Sequence, residues 1–311
     1  MKMLRLPVLI MLGLGLLAAP VLAADLTALA IVEKANRASY YAGKDGIADI
    51  TMTITAPDVL TVNPGETLLS SDTGGTKKLY VQGTLLADGT LAGGNIVFGA
   101  GAGGRSTWGG IELQDAGPGS VMDSCRVENA ADGVVWLGSG GSLTHSVVAN
   151  NGGGGVLLHA LPGSMFDISH NHVYGNGGDG LEVMADSSVS VTVGDHQIRY
   201  NGGDGVDYYF FSPWSPAVLD IGDNEILGNG QNGIRLAQGG ANTLIHDNDI
   251  RENVNGIYFD GETWGARPTI QLNNIQGNHV SGIHLANQAA PVLDNNTIVG
   301  NSVNGVYCRS H

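Results

Sequence analysis

From Gly110 to the C-terminus one phrase recurs: an aliphatic residue, a few positions, Asn, a polar turn, Gly, then apolar–any–apolar. The closing part reads GIEL at Gly110, GVVWL at Gly133, GVLL at Gly155, GLEV at Gly180 and GVDY at Gly205. It continues as GIRL at Gly233, GIYF at Gly256, GIHL at Gly282 and GVYC at Gly305. The steps between these glycines are 23, 22, 25, 25, 28, 23, 26 and 23 residues. A period in this range, with several short apolar strands per unit, predicts a solenoid built from strands, in which each coil buries its apolar face on its neighbours. The predicted class is all-β.

Aligning the units on the glycine gives further columns. Asn129, Asn151, Asn176, Asn201, Asn229, Asn253, Asn278 and Asn301 stand three or four residues before it. Asn171, His196, Asn224, Asn248, Asn273 and Asn296 form a second column. Stacked amides hydrogen-bond along a column, and Asn tolerates the left-handed backbone of sharp corners, so both columns read as structural. The aliphatics Val127, Val148, Val173, Ile198, Ile226, Ile250, Ile275 and Ile298 form a predicted interior stack.

The chain ahead of the repeats has other signals. Met1 to Ala23 has a basic start, an apolar stretch and a small-residue cleavage pattern at Val21-Leu22-Ala23, and reads as a secretory signal peptide. No later apolar run approaches the roughly 20 residues needed to span a bilayer, which predicts an exported protein, periplasmic or extracellular, with no membrane insertion after signal removal. Residues 24–59 read as a cap, with helix-like spacing over Asp25–Arg37 and a strand over Ile47–Ala56, and residues 60–311 as the solenoid. The formal charge of -15, from 14 Lys and Arg against 29 Asp and Glu, argues against a nucleic-acid partner. It also opposes long polyanionic sugars unless cations or a local Arg or Lys intervene. Cys125 and Cys308 fall in coils that stacking at about 4.8 Å places far beyond disulfide reach.

The NGGDGL, NGQNGI, ENVNGI and GNSVNGV phrases resemble the right-handed parallel β-helix repeat proteins. That clan includes pectate lyases, polygalacturonases, mannuronan C5-epimerases and NosD-type proteins of copper-enzyme maturation. The resemblance covers Asn95 to His311 well and Leu60 to Gly94 loosely, and it implies the coil rather than an activity. A fainter resemblance, over Ile31 to Ile54, is to the opening of outer-membrane lipoprotein-sorting proteins. In polysaccharide-active members of the clan the resemblance places the groove along a sheet face.

In each closing strand the middle residue points outward, which gives the column Glu112, Val135, Leu157, Glu182, Asp207, Arg235, Tyr258, His284 and Tyr307. Neighbouring carboxylates raise one another's proton affinity, so Glu182 and Asp207 are candidates for an acid and a base. Arg235, Tyr258 and His284 are candidates for proton abstraction and charge neutralisation beside a uronate. The candidate catalytic set is therefore Glu182, Asp207, Arg235 and His284. Two long units add Tyr208, Tyr209 and Trp214, and Trp264, as loop aromatics beside the column. Sugar rings stack on such faces, so Tyr209, Trp214, Tyr258 and Trp264 are the candidate binding residues. Asp179 and Asp204 recur in NGGDG, where they shape the turn or hold Ca²⁺ with carbonyl oxygens. The scattered histidines form no zinc or copper set.

Two functions follow. One is an exported β-helix that binds a polysaccharide and cleaves or modifies it. The other is a non-catalytic scaffold that associates with protein partners, including copies of itself, through an uncapped C-terminal coil.

Overall fold

The structure, a computed structural model, describes residues 26–27 and 52–309 apart from the short segments 55–58, 71–73, 91–93, 102, 186–187, 211–216, 238–241 and 262–266. Every pairing among the described strands is parallel, and each strand hydrogen-bonds to the equivalent strand one coil away. The strands collect into a ten-stranded sheet on one side and a larger, bent sheet system of twenty strands around the rest. This is the predicted all-β solenoid.

Its interior follows from the alternation in each short strand. In Leu181–Ala185 and Ile257–Asp260 the first and third residues are buried and the second is half-buried. The central aliphatics pair in register from Val127 through Val148, Val173, Ile198, Ile226, Ile250 and Ile275 to Ile298. The residues from Val127 to Ile275 are buried. The early coils are as well formed: Val59–Val62, Thr67–Ser70, Lys78–Val81 and Thr84–Asp88 all pair with later coils.

Two asparagine ladders staple the corners. Along Asn151, Asn176, Asn201, Asn229, Asn253, Asn278 and Asn301, each side-chain Nδ2 donates to the Oδ1 of the next asparagine, at 2.9–3.3 Å. The ladder residue is not, as expected, the left-handed one. That role falls to its predecessor: Asn150, Gly175, Tyr200, Gly228, Glu252, Gly277 and Gly300 have φ between 55° and 66°. Asn129 accordingly belongs to the left-handed column (φ 61°), and Ala130 takes the ladder slot, giving its N–H to Asn151.

In the second ladder His196 replaces an asparagine. Its Nδ1 accepts from the Asn171 N–H at 3.0 Å and its Nε2 lies 2.8 Å from the Ile168 carbonyl, which fixes the neutral Nε2–H tautomer. Burial pushes its pKa down to about 4.

The closing glycines serve close approach rather than special dihedrals. A Cβ on Gly180 would lie 2.6 Å from Ile198 Cγ2, 2.7 Å from the Gly205 oxygen and 2.8 Å from Asn201 Nδ2. Only the first of the column, Gly110, has a left-handed φ (91°).

The signal peptide and nearly all of the segment read as a helical cap lie outside the described residues. At Leu26–Thr27, within that segment, the chain is instead a two-residue strand paired with Leu60 and Thr61. At the other end, Leu293 and Val306 continue inward-facing columns yet are 39% and 42% exposed, because among the described residues nothing stacks on the last coil. Cys125 is buried, with its thiol pushed up to about 12 by burial, and Cys308 is exposed; neither forms a disulfide.

Candidate functional site

The outward column forms in the expected register. Glu112 pairs with Val135, Val135 with Leu157, Leu157 with Glu182, and Glu182 with Asp207. Asp207 then pairs with Arg235, Arg235 with Tyr258, Tyr258 with His284, and His284 with Tyr307. The chemistry changes from aliphatic to charged to aromatic along one line.

Arg235 is closed onto the rung before it. Its Nη1 donates to both Asp207 carboxylate oxygens, at 2.8 and 2.9 Å, and both residues are partly buried. Burial raises the Asp207 carboxyl above the usual carboxylate range, with Arg235 opposing and Asp179 reinforcing the shift. Glu182 has no hydrogen bond or ion pair among the described residues. Burial, then the charges of Asp179, Asp207 and Asp132, hold its carboxyl above the usual range, with Arg235 opposing them. At the low end of the column Glu112 is paired with Lys78.

A corner ladder not foreseen from the repeat adjoins these carboxylates. Asp179 accepts the Asp204 N–H at 2.6 Å, and Asp204 accepts the Asn232 N–H at 2.6 Å and its amide at 2.8 Å. Asn255 and Ser281 carry the ladder on. Through these hydrogen bonds Asp179 and Asp204 shape the turn. Burial pushes Asp204 up to about 6, against its hydrogen bonds to Asn232 and with support from Asp207 and Asp179. The signal was present in the sequence as Asp, Asp, Asn, Asn, Ser immediately before successive glycines. No group of three or more His, Cys, Asp or Glu positioned to hold a metal occurs among the described residues.

The aromatic end is a stack of alternating rings. Tyr258 and His284 lie 4.9 Å apart at 72°, and His284 and Tyr307 4.9 Å apart at 78°. Burial and then Arg309 lower the His284 pKa, and its Nε2 is covered without a hydrogen-bond partner.

Of the loop aromatics, Tyr208 is not in a loop at all. It is the third residue of Val206–Phe210, 2% exposed and turned inward, as the closing apolar position of the GVDY phrase. Tyr209 follows it in the outward, half-buried register beside Met184 and Ala237. Trp214 and Trp264 lie outside the described residues.

Residues 86–198 and 190–311 each match the family model described as the right handed beta helix region. The chain belongs to the right-handed β-helix family. The matched residues do not include Ile31–Ile54, where the fainter lipoprotein-sorting resemblance lay. Similar solved structures include two Azotobacter vinelandii mannuronan C-5 epimerase A-modules. The AlgE6 module has 16% identity and TM-score 0.49, covering 92% of this chain and 97% of that one. The AlgE4 module has 17% identity and TM-score 0.47, covering 92% and 95%. No curated protein matches the chain.

Proposed function

We propose that this β-helix is an exported polysaccharide-binding protein whose outward column from Leu157 to Tyr307 is the binding strip. The observation that carries the reading is the unbroken register of that column, with half-buried carboxylates leading into the Tyr258–His284–Tyr307 stack. A straight line of rungs about 4.8 Å apart suits a linear polymer, and aromatic faces and edges suit the C–H faces of sugar rings. The N-terminal leader read from the sequence supplies the export, to the periplasm or beyond the cell.

A second reading, hydrolysis of the bound glycan, is favoured by Glu182 and Asp207 standing on consecutive rungs in different surroundings. One is unpaired, with its carboxyl raised by burial and neighbouring carboxylates; the other is bonded to Arg235, which opposes the rise that burial imposes on it. Elimination or epimerisation of a uronate is served less well. Arg235 is already held by Asp207, and the covered Nε2 of His284 is not presented as a base.

The test is binding of the mature protein to immobilised neutral, cationic and anionic glycans, with reducing ends and unsaturated-uronate absorbance followed in parallel, with and without Ca²⁺. Binding that falls at least tenfold in Tyr258→Ala supports the strip. New reducing ends that vanish in Glu182→Gln and Asp207→Asn support hydrolysis. If no glycan binds and no product forms, the polysaccharide reading fails and the protein-scaffold alternative takes its place.

A further inference from the structure

Round the corner from the outward column, one edge of the solenoid is cut back. Strand Val134–Thr144 crosses that corner through Ser139 alone, where the following coil takes Leu161-Pro162-Gly163-Ser164, and the register breaks there between Gly138 and Gly140. Gly140 and Gly141 have φ of 137° and 146°, which residues with a Cβ rarely adopt, and a Cβ on Gly141 would run into the Trp136 ring. The corner is therefore held as bare backbone. Trp136 beneath it is fully buried, and its Nε1–H has no hydrogen-bond partner among the described residues. The groove outside this corner has a volume of about 390 Å³, within the size range of small-molecule sites.

Its lining mixes two kinds of side chain. Ser142, Asp167 and Thr192 stand on successive rungs of an outward column, and Ser190 stands beside them. Asp167 accepts the Ser169 hydroxyl at Oδ1, at 2.7 Å. Its Oδ2, and the hydroxyls of Ser142, Ser190 and Thr192, make no hydrogen bond among the described residues. The coils do not use these polar groups to hold themselves together. The apolar part is Val121, one rung before Ser142, and Met165, one rung before Ser190 and 73% exposed.

We propose that this groove is a second sugar site, one that takes an uncharged pyranose unit. Apolar walls with a few placed polar groups are what a small-molecule site needs to hold and orient a ring. The C–H faces of the sugar meet Val121 and Met165, its hydroxyls donate to Asp167, and they exchange hydrogen bonds with Ser142, Ser190 and Thr192. An ionised carboxylate only accepts, so Asp167 selects donors. A uronate would set a second carboxylate against Asp167, and the residues that line the groove include no Lys, Arg or His. The groove shares no residue with the strip from Leu157 to Tyr307, so the two sites stand or fall separately.

The experiment titrates the intact mature protein by calorimetry with cellohexaose, maltohexaose and mannohexaose as neutral probes and hexagalacturonate as the charged one. It compares the unaltered chain with Asp167→Ala, Ser190→Trp and Tyr258→Ala. The expected result is a neutral probe whose binding includes a component that weakens at least tenfold in Asp167→Ala and is lost in Ser190→Trp, which fills the groove. That component is unchanged in Tyr258→Ala and insensitive to salt, and hexagalacturonate lacks it. Asp167 is exposed, so Asp167→Ala is expected to unfold as the unaltered chain does, which separates lost binding from lost fold. Binding that survives both groove variants and falls only in Tyr258→Ala overturns the groove site and leaves the strip standing. Binding that falls only in the groove variants upholds the groove and overturns the strip. Equal or tighter binding of hexagalacturonate in the groove overturns the uncharged class. If no probe binds, the groove site is overturned together with the polysaccharide reading.

Discussion

The corner ladders and the outward column run through the same coils, yet they differ in kind. Along the ladders the residue type hardly varies, because every rung repeats one arrangement, an amide that accepts from the coil before and donates to the coil after. Along the column the rungs pass from Val135 and Leu157 through Glu182, Asp207 and Arg235 to Tyr258 and His284. Stacking coils needs uniform corners and only a solvent-tolerant outer face. Variation on that face is therefore where function has room, and uniformity at the corner is where stability resides.

The sharpest way to break the comparison is at the corner glycine. Gly180→Val puts a Cβ within 2.6–2.8 Å of three atoms, two of them in the next coil's backbone or its ladder amide. Loss of more than about 3 kcal/mol is expected in denaturant unfolding. Acid titration of His196 comes next. Its folded pKa of about 4 lies below its unfolded value, so the unfolded chain binds the proton first. Its contribution is full above pH ~6.5 and declines as pH falls toward 4, by roughly 3 kcal/mol in all. Replacing it by the ladder's own residue, His196→Asn, is expected to remove that acid sensitivity. Asn201→Ala, which leaves the Asn176 amide and N–H without their acceptor, is expected to cost about 2 kcal/mol.

His246 reverses the sign. Burial opposes its charge, but bonds to Asp247 and Asp220, at 2.8 Å each, hold its pKa above the ordinary value. Its contribution is present at low pH and lost as pH rises through the folded pKa, a smaller effect at a partly exposed site. The smallest change belongs to the column itself: Tyr258→Ala is expected to shift stability by less than about 1 kcal/mol, measured by the same unfolding curves.

The repeat made the column legible. A period-two strand behind a fixed glycine leaves one choice of outward residue, and Glu182, Asp207, Arg235, Tyr258 and His284 occupy it. What stayed hidden depended on local geometry. Asn129 looks like a ladder member by composition, but the coil there is offset by one residue and Ala130 fills the slot. Tyr208 groups with the loop aromatics in the sequence although it closes the GVDY phrase, and the strand in fact runs on to Phe210. The Asp179–Asp204–Asn232 ladder is spelled out in the sequence, but its meaning lies in backbone N–H groups one coil away. That Arg235 is closed by Asp207 depends on a rotamer, which spacing does not encode.

The most direct measurement is calorimetric titration of one bound glycan against three variants chosen for equal stability. Glu182→Gln and Tyr258→Ala lie on the column, and Tyr174→Ala lies on the outer face of the ten-stranded sheet. The account predicts at least tenfold weaker binding in Tyr258→Ala, weaker binding in Glu182→Gln, and no change in Tyr174→Ala. Equal weakening in all three, or full affinity in both column variants, contradicts it.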